Sequence, residues 1–151
     1  RNTDTITFSL GAEKEPGHFE YKIGGPGETI IEELGLRVEV SSCGSEEIGR
    51  LKSFPSTVAC FDIESVSFPL IVRKVRPGDR FVPLGMKGSQ KIKEFFINQK
   101  VPPRERQRTP LFWSGEMLIW VGGYRIHDAV KVHKDTKQIL RIELINDNIK
   151  D

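Results

Sequence analysis

The chain has 151 residues, of which 37% are hydrophobic and 29% charged, and its formal net charge at pH 7 is +2; these are ordinary values for a globular protein with a core of its own. No apolar run reaches the roughly 18 residues that a membrane-spanning helix needs, the best being Met117 to Val121, so insertion into a bilayer is set aside. Two cysteines, Cys43 and Cys60, are too few for a disulfide framework and lack the paired spacing of a zinc site, which points to a reducing cytoplasm.

The chain opens on Arg1 with no charged and then apolar leader, which reads as a piece of a longer protein rather than a secreted one. Thr5 to Leu10 and His18 to Ile23 alternate polar and apolar residues, the pattern of strands with one face on a core. Gly24-Gly25-Pro26-Gly27 breaks the alternation and is expected to be a hairpin turn. Glu28 to Leu34 fits either a strand or a short helix, and Leu36 to Val40 alternates again. Thr57 to Asp62 and Phe68 to Val75 are expected as two further strands, the first the more buried.

Between Pro77 and Thr109 the character changes. Pro77-Gly78-Asp79 and Pro83-Leu84-Gly85 carry turn chemistry, with proline fixing the first torsion and glycine accepting positive φ. Asp79 is expected to brace its turn by accepting backbone N–H bonds. Ser89 to Asn98 predicts a helix of about two to three turns, capped by Ser89, with Ile92, Phe95 and Phe96 on one face. It should end before Val101-Pro102-Pro103, and Arg104 to Arg108 suits a second short turn. Strands then return at Leu111 to Trp113, Glu116 to Val121, Tyr124 to Ile126 and Gln138 to Ile145, with a hairpin turn at Ser114-Gly115 and a turn or bulge at Gly122-Gly123. The fold class expected is α+β and β-rich, a β domain with one or two short helices. Residues 1–64 are read as an N-terminal β-rich segment packing on the domain formed by 65–151.

The small net charge conceals a strong asymmetry. Residues 1–70 hold 6 basic and 12 acidic side chains, residues 71–110 hold 11 and 3, and residues 111–151 hold 6 of each. The central cations are Arg73, Lys74, Arg76, Arg80, Lys87, Lys91, Lys93, Lys100, Arg104, Arg106 and Arg108. Turns and the polar side of one helix would gather them on one surface, and phosphate backbones attract such clusters by counterion release and by two-point contacts with Arg. Nucleic acid is the expected partner, although a charge run of this kind also suits a plain solvated face.

Other chemistry finds less support in the sequence. Phe112, Trp113, Trp120 and Tyr124 could stack on unpaired bases, but core packing is the expectation for most. His127, Asp128 and His133 lack a helical i, i+4 face to converge them on a metal, so His18, His127 and His133 are read as surface or hydrogen-bonded structural residues. No nucleophile elbow and no phosphate loop with its Lys-Ser/Thr is present, so neither a catalytic centre, a metal nor a cofactor is expected in the chain itself.

The run Pro69-Leu70-Ile71-Val72-Arg73-Lys74-Val75-Arg76-Pro77-Gly78-Asp79-Arg80-Phe81-Val82-Pro83-Leu84-Gly85-Met86-Lys87-Gly88 resembles the hallmark of the C-terminal domain of tRNA(Ile)-lysidine synthetases. So do Lys91 to Ile97, the Val101-Pro102 and Thr109-Pro110 joints, Ile119 to Gly123 and Thr136 to Leu140, a match in order from about 65 to 145. The resemblance implies a bacterial enzyme that uses ATP, with magnesium, to join lysine to the wobble cytidine of an isoleucine tRNA with a CAU anticodon. It places that chemistry in an N-terminal domain whose Ser-Gly-Gly-x-Asp-Ser loop is absent here. It further implies that this part grips the acceptor stem, consistent with A-form duplex being read by shape and phosphates. Carried over by motif, Arg73, Arg76, Arg80, Lys87, Lys91 and Lys93 are the best candidates for contacts, with Lys74, Arg104, Arg106 and Arg108 beside them. The expected fold is a layered β-sandwich with helices, similar to a domain in the β subunit of phenylalanyl-tRNA synthetase. Expected partners are the tRNA, the rest of the same polypeptide and, as an option, a second copy in a homodimer. The rival reading is a protein-docking module that holds the catalytic domain or a second subunit.

Overall fold

Alternation along the chain becomes two packed antiparallel sheets, seen in a computed structural model that describes residues 17–147. The strand expected at Thr5 to Leu10 lies outside the described residues. The first sheet runs β1 (Glu20–Ile23), β5 (Leu70–Arg73), β8 (Leu111–Ser114), β9 (Met117–Val121), β10 (Arg125–Ile126). The second runs β2 (Gly27–Ile31), β3 (Leu36–Gly44), β11 (Gln138–Asn146), β4 (Val58–Asp62). Residues from both the 1–64 and 65–151 stretches build each sheet: β1 pairs with β5, and β11 lies between β3 and β4.

Gly24 to Gly27 is not the hairpin turn that its composition suggests. β1 pairs with β5 and β2 pairs with β3, so the segment carries the chain from one sheet to the other. The ambiguous stretch after it resolves as strand β2 followed by a tight turn. Leu34 and Gly35 donate backbone N–H bonds to Ile31 and Glu32, and Gly35 takes the φ of 65° that the turn requires.

One core lies between the sheets, where Ile31, Val38, Val40, Phe61, Val72, Phe112, Leu140 and Ile142 meet Trp120. A second lies on the other face of the first sheet, where Leu111, Leu118 and Val121 meet Phe81, Ile92, Phe95, Phe96 and Val101. The first sheet is thus buried on both faces, which accounts for the unbroken apolar run in β9. A bulge sets the phase: Phe112 faces Trp120 while Trp113 faces Leu118, leaving Ile119 without a partner in β8. Ile119 and Trp120 therefore both serve the inter-sheet core, with Leu118 and Val121 pointing into the other.

The third layer consists of the short hairpin β6 (Arg80–Phe81) and β7 (Gln90–Lys91), then α1 (Ile92–Asn98) and α2 (Pro103–Arg106). The helix is shorter at its start than the sequence suggests. Lys91 occupies the N-cap position with no side-chain bond, because Ser89 Oγ accepts instead from Arg80 Nε at 3.0 Å and Gln90–Lys91 is drawn into strand pairing. At its end, Lys100 adopts φ 60°, while the N–H groups of Lys100 and Val101 bond to the carbonyls of Ile97 and Phe96. That is a Schellman closure with lysine where glycine is usual.

Candidate nucleic-acid interface

The cations of the central stretch do not share one environment. Arg73, at the end of β5, points into the protein, its side chain 11% exposed against 9% for Asp79. Its two guanidinium nitrogens bond to the two Asp79 oxygens, each at 3.0 Å, and the group lies 4.2 Å from the Trp113 ring centroid. Asp79 Oδ2 also accepts the Arg76 N–H at 2.8 Å, the bracing role expected of it, and Gly78 within this turn has φ 90°. Arg73 thus fixes the turn from below and offers no free guanidinium to a ligand.

Arg76, on that turn, projects to the surface and pairs with Glu20 of β1 at 2.8 Å, both side chains near half-exposed. Lys91 and Lys93 flank the buried Ile92, so both extend outward beside it. Arg106, on α2, donates Nε to the Val101 carbonyl at 2.9 Å, which lays its side chain along the α1–α2 junction. Together Arg76, Lys91, Lys93 and Arg106 rim one concavity of about 430 Å³, with Val75, Pro77 and Phe96 among its walls.

The remaining candidates stand elsewhere. Arg80 lies opposite Lys91 in the β6–β7 ladder but lines a neighbouring depression with Ser89, Glu116 and His127. Lys87 is exposed on the loop after Gly85, and Arg104 is exposed on α2. Lys74 is half-buried, its carbonyl accepting from Arg73 Nη1. Arg108 turns toward the second sheet, donating to the Leu34 carbonyl at 3.3 Å. Carboxylates Glu28 and Glu39, opposite each other on β2 and β3, stand on the second sheet beside Arg37, with the first sheet between them and α1.

The aromatic side chains are mainly structural. Phe112 and Trp120 are buried with ring centroids 5.1 Å apart, Trp113 is covered by Arg73, and Tyr124 packs edge-on against Phe95 and Phe96. Both described histidines of the C-terminal half are hydrogen-bonded. His133 Nδ1 accepts from the Asp135 N–H, which leaves Nε2–H to donate to Asp62 at 2.9 Å. His127 Nδ1 accepts from the Ala129 N–H, and burial holds its imidazole below the usual range, partly offset by Asp128. Burial also pushes the Cys60 thiol up to about 11, which keeps it protonated and a poor nucleophile at neutral pH. Among the described residues no three His, Cys, Asp or Glu side chains converge on a metal position. Sequence reasoning did not single out Glu20 or Gln107, which border this surface; neither stands in a pattern that marks it.

Comparison with known proteins places the chain. The family model described as the TilS substrate C-terminal domain matches residues 70–144. A tRNA(Ile)-lysidine synthase of Caldanaerobacter subterraneus is 37% identical over 134 residues, covering 86% of this chain and 27% of the relative. One of Dehalococcoides mccartyi is 37% identical over 128 residues, covering 85% and 26%. The chain therefore spans about a quarter of the length of the curated relatives it matches. A crystal structure of a TilS C-terminal domain superposes with a TM-score of 0.71 at 24% identity, covering 87% of this chain and 99% of the other, so the layered fold is shared.

Proposed function

The chain belongs to the TilS substrate C-terminal domain family, and from that premise we propose that it is the tRNA-binding, non-catalytic part of a bacterial tRNA(Ile)-lysidine synthase, gripping the acceptor stem of the isoleucine tRNA. The whole enzyme, in this reading, works in the cytoplasm and spends ATP, with magnesium, to attach lysine to the wobble cytidine. The rest of the polypeptide holds those reactants. This chain's own part is to bind and orient the RNA.

The observation that carries the reading is the concavity rimmed by Arg76, Lys91, Lys93 and Arg106. It stands on the helical layer, on the far side of the first sheet from Glu28 and Glu39, and among the described residues Glu20 of the acidic N-terminal half reaches it through its pair with Arg76. A rigid basic concavity whose aromatic lining residue, Phe96, is buried suits A-form duplex, which offers phosphates and 2′-hydroxyls rather than splayed bases. Arg80 and Lys87 extend the same layer, whereas Arg73 supports it from inside.

Filter binding against the isoleucine tRNA and an unrelated tRNA at two salt concentrations tests this. Lys91→Ala with Lys93→Ala should weaken both complexes and flatten the slope of log affinity against log salt by about one per lost phosphate contact. Unchanged affinity and slope would sink it. Loss of assembly with the rest of the enzyme, tRNA affinity being intact, would favour the docking module instead.

A further inference from the structure

Resting on the reading that this surface binds tRNA, we propose that the concavity between the Arg76–Asp79 turn and the α1–α2 junction is a pocket for the 5′-monophosphate end of the RNA strand. Its size, about 430 Å³, lies in the range of small-ligand pockets, roughly 300–1,000 Å³, and is ample for one terminal nucleotide. Its rim is cationic and Val75 and Pro77 give its walls apolar surface, so a phosphate and an adjoining apolar ring face each find matching surface.

Three features favour a chain end over a stretch of backbone. A phosphodiester carries one charge and sits on the convex edge of a duplex, for which spaced surface lysines suffice. Four cations around a hollow suit a compact group of higher charge, and a phosphate monoester carries about −1.5 to −2 at neutral pH. On an unmodified tRNA that monoester exists at the 5′ end alone, the 3′ end being a ribose diol.

The carboxylates near the pocket do not oppose it. Asp79 forms part of the wall, yet both its oxygens are engaged, by Arg73 and by the Arg76 N–H. Glu20 holds Arg76 through an ion pair with each partner near half-exposed, a kind of pair worth little, so a phosphate can take its place. Arg106 is fixed along the rim by its bond to Val101, leaving less side-chain freedom to lose on binding.

The experiment compares the dissociation constants of this chain for one isoleucine tRNA carrying either a 5′-phosphate or a 5′-hydroxyl. The phosphorylated form should bind about tenfold more tightly, and Lys91→Ala with Lys93→Ala should erase that preference. Equal affinity of the two ends with the salt slope retained overturns the pocket while leaving the tRNA-binding reading intact. Absence of salt-dependent binding by either form overturns that reading itself. In a competition arm, uridine 5′-monophosphate should displace the phosphorylated tRNA only at far higher concentration; displacement at the tRNA's own concentration would make this a free-nucleotide site and overturn the proposal.

Discussion

Arg73 and Asp79 lock together beneath the surface that their neighbours present, with Nη1 to Oδ2 and Nη2 to Oδ1 each at 3.0 Å and the Trp113 ring against one face of the guanidinium. The same carboxylate holds the Arg76 N–H, so one internal pair sets where Arg76 leaves the turn. A buried bidentate pair of this kind specifies geometry more than it adds stability.

Removing one member should therefore be costly. Asp79→Ala leaves a nearly buried guanidinium without its counter-charge, for an expected loss of about 3–5 kcal/mol, whereas Arg73→Met combined with Asp79→Leu should cost markedly less. Denaturant unfolding of the two variants beside the wild type checks this. A loss below about 1 kcal/mol for Asp79→Ala would show that the pair is not holding the turn.

Lys100 closes α1 in a left-handed conformation that a side chain disfavours. Lys100→Gly should raise stability by about 1 kcal/mol, read as a higher melting temperature, since glycine adopts this φ without a Cβ penalty. A lower melting temperature would contradict the strain assigned to this position.

Gly122 follows β9 at a point where there is no room for a side chain. Its N–H bonds to the Pro110 carbonyl at 2.9 Å, and a Cβ would stand 2.8 Å from that same oxygen. Gly122→Ala should destabilise by about 1–3 kcal/mol as the joint is forced apart. Wild-type stability in the variant would mean that the joint gives freely.

His127 makes stability depend on pH. Burial lowers its folded-state pKa below the ordinary 6.5, so the folded form disfavours the proton. Its contribution is complete above about pH 6.5 and is lost as the pH falls through the folded value. Asp128, also lowered, through the Gly85 N–H first of all, acts in the same direction but only below its ordinary 3.8. The unfolding free energy should thus fall less between pH 7.5 and 5 in His127→Asn, whose side-chain oxygen can still accept from Ala129, than in the wild type. Identical pH profiles would dismiss this role.

Alternation made several strands legible, because a half-buried strand must alternate: β1 and the first part of β3 follow the pattern closely, whereas β11 buries the adjacent Ile139 and Leu140 together. The 310 segment Ser45–Ser53 was not legible, having neither helical nor strand period. Nor could turn composition at Gly24 to Gly27 reveal a change of sheet, since turn chemistry says that a strand ends without saying which strand it will pair with. At Ser89 two good local uses competed, and cross-strand capture by Arg80 won over capping.

The basic surface was legible as a density of charge and not as an arrangement. Lys91 and Lys93 could be placed from the helical face and the Asp79 brace from its Pro-Gly-Asp turn, but the meeting of the two lysines with Arg76 and Arg106 depends also on the Lys100 closure, which leaves no mark in spacing. Arg73 shows the converse. In sequence it is one cation among many, and only packing against Trp113 and Asp79 gives it a different task.

The position of β11 has a consequence for how the protein comes into being. Residues 138–146 fill the gap between β3 and β4, which touch no other strand in common, so the second sheet stays open until these late residues have left the ribosome. Folding then completes in one late step that joins segments synthesised roughly a hundred residues apart, a topology that slows assembly. A premature stop codon ahead of residue 138 would therefore yield two unsealed strand edges, with no native domain to protect them from aggregation or proteolysis.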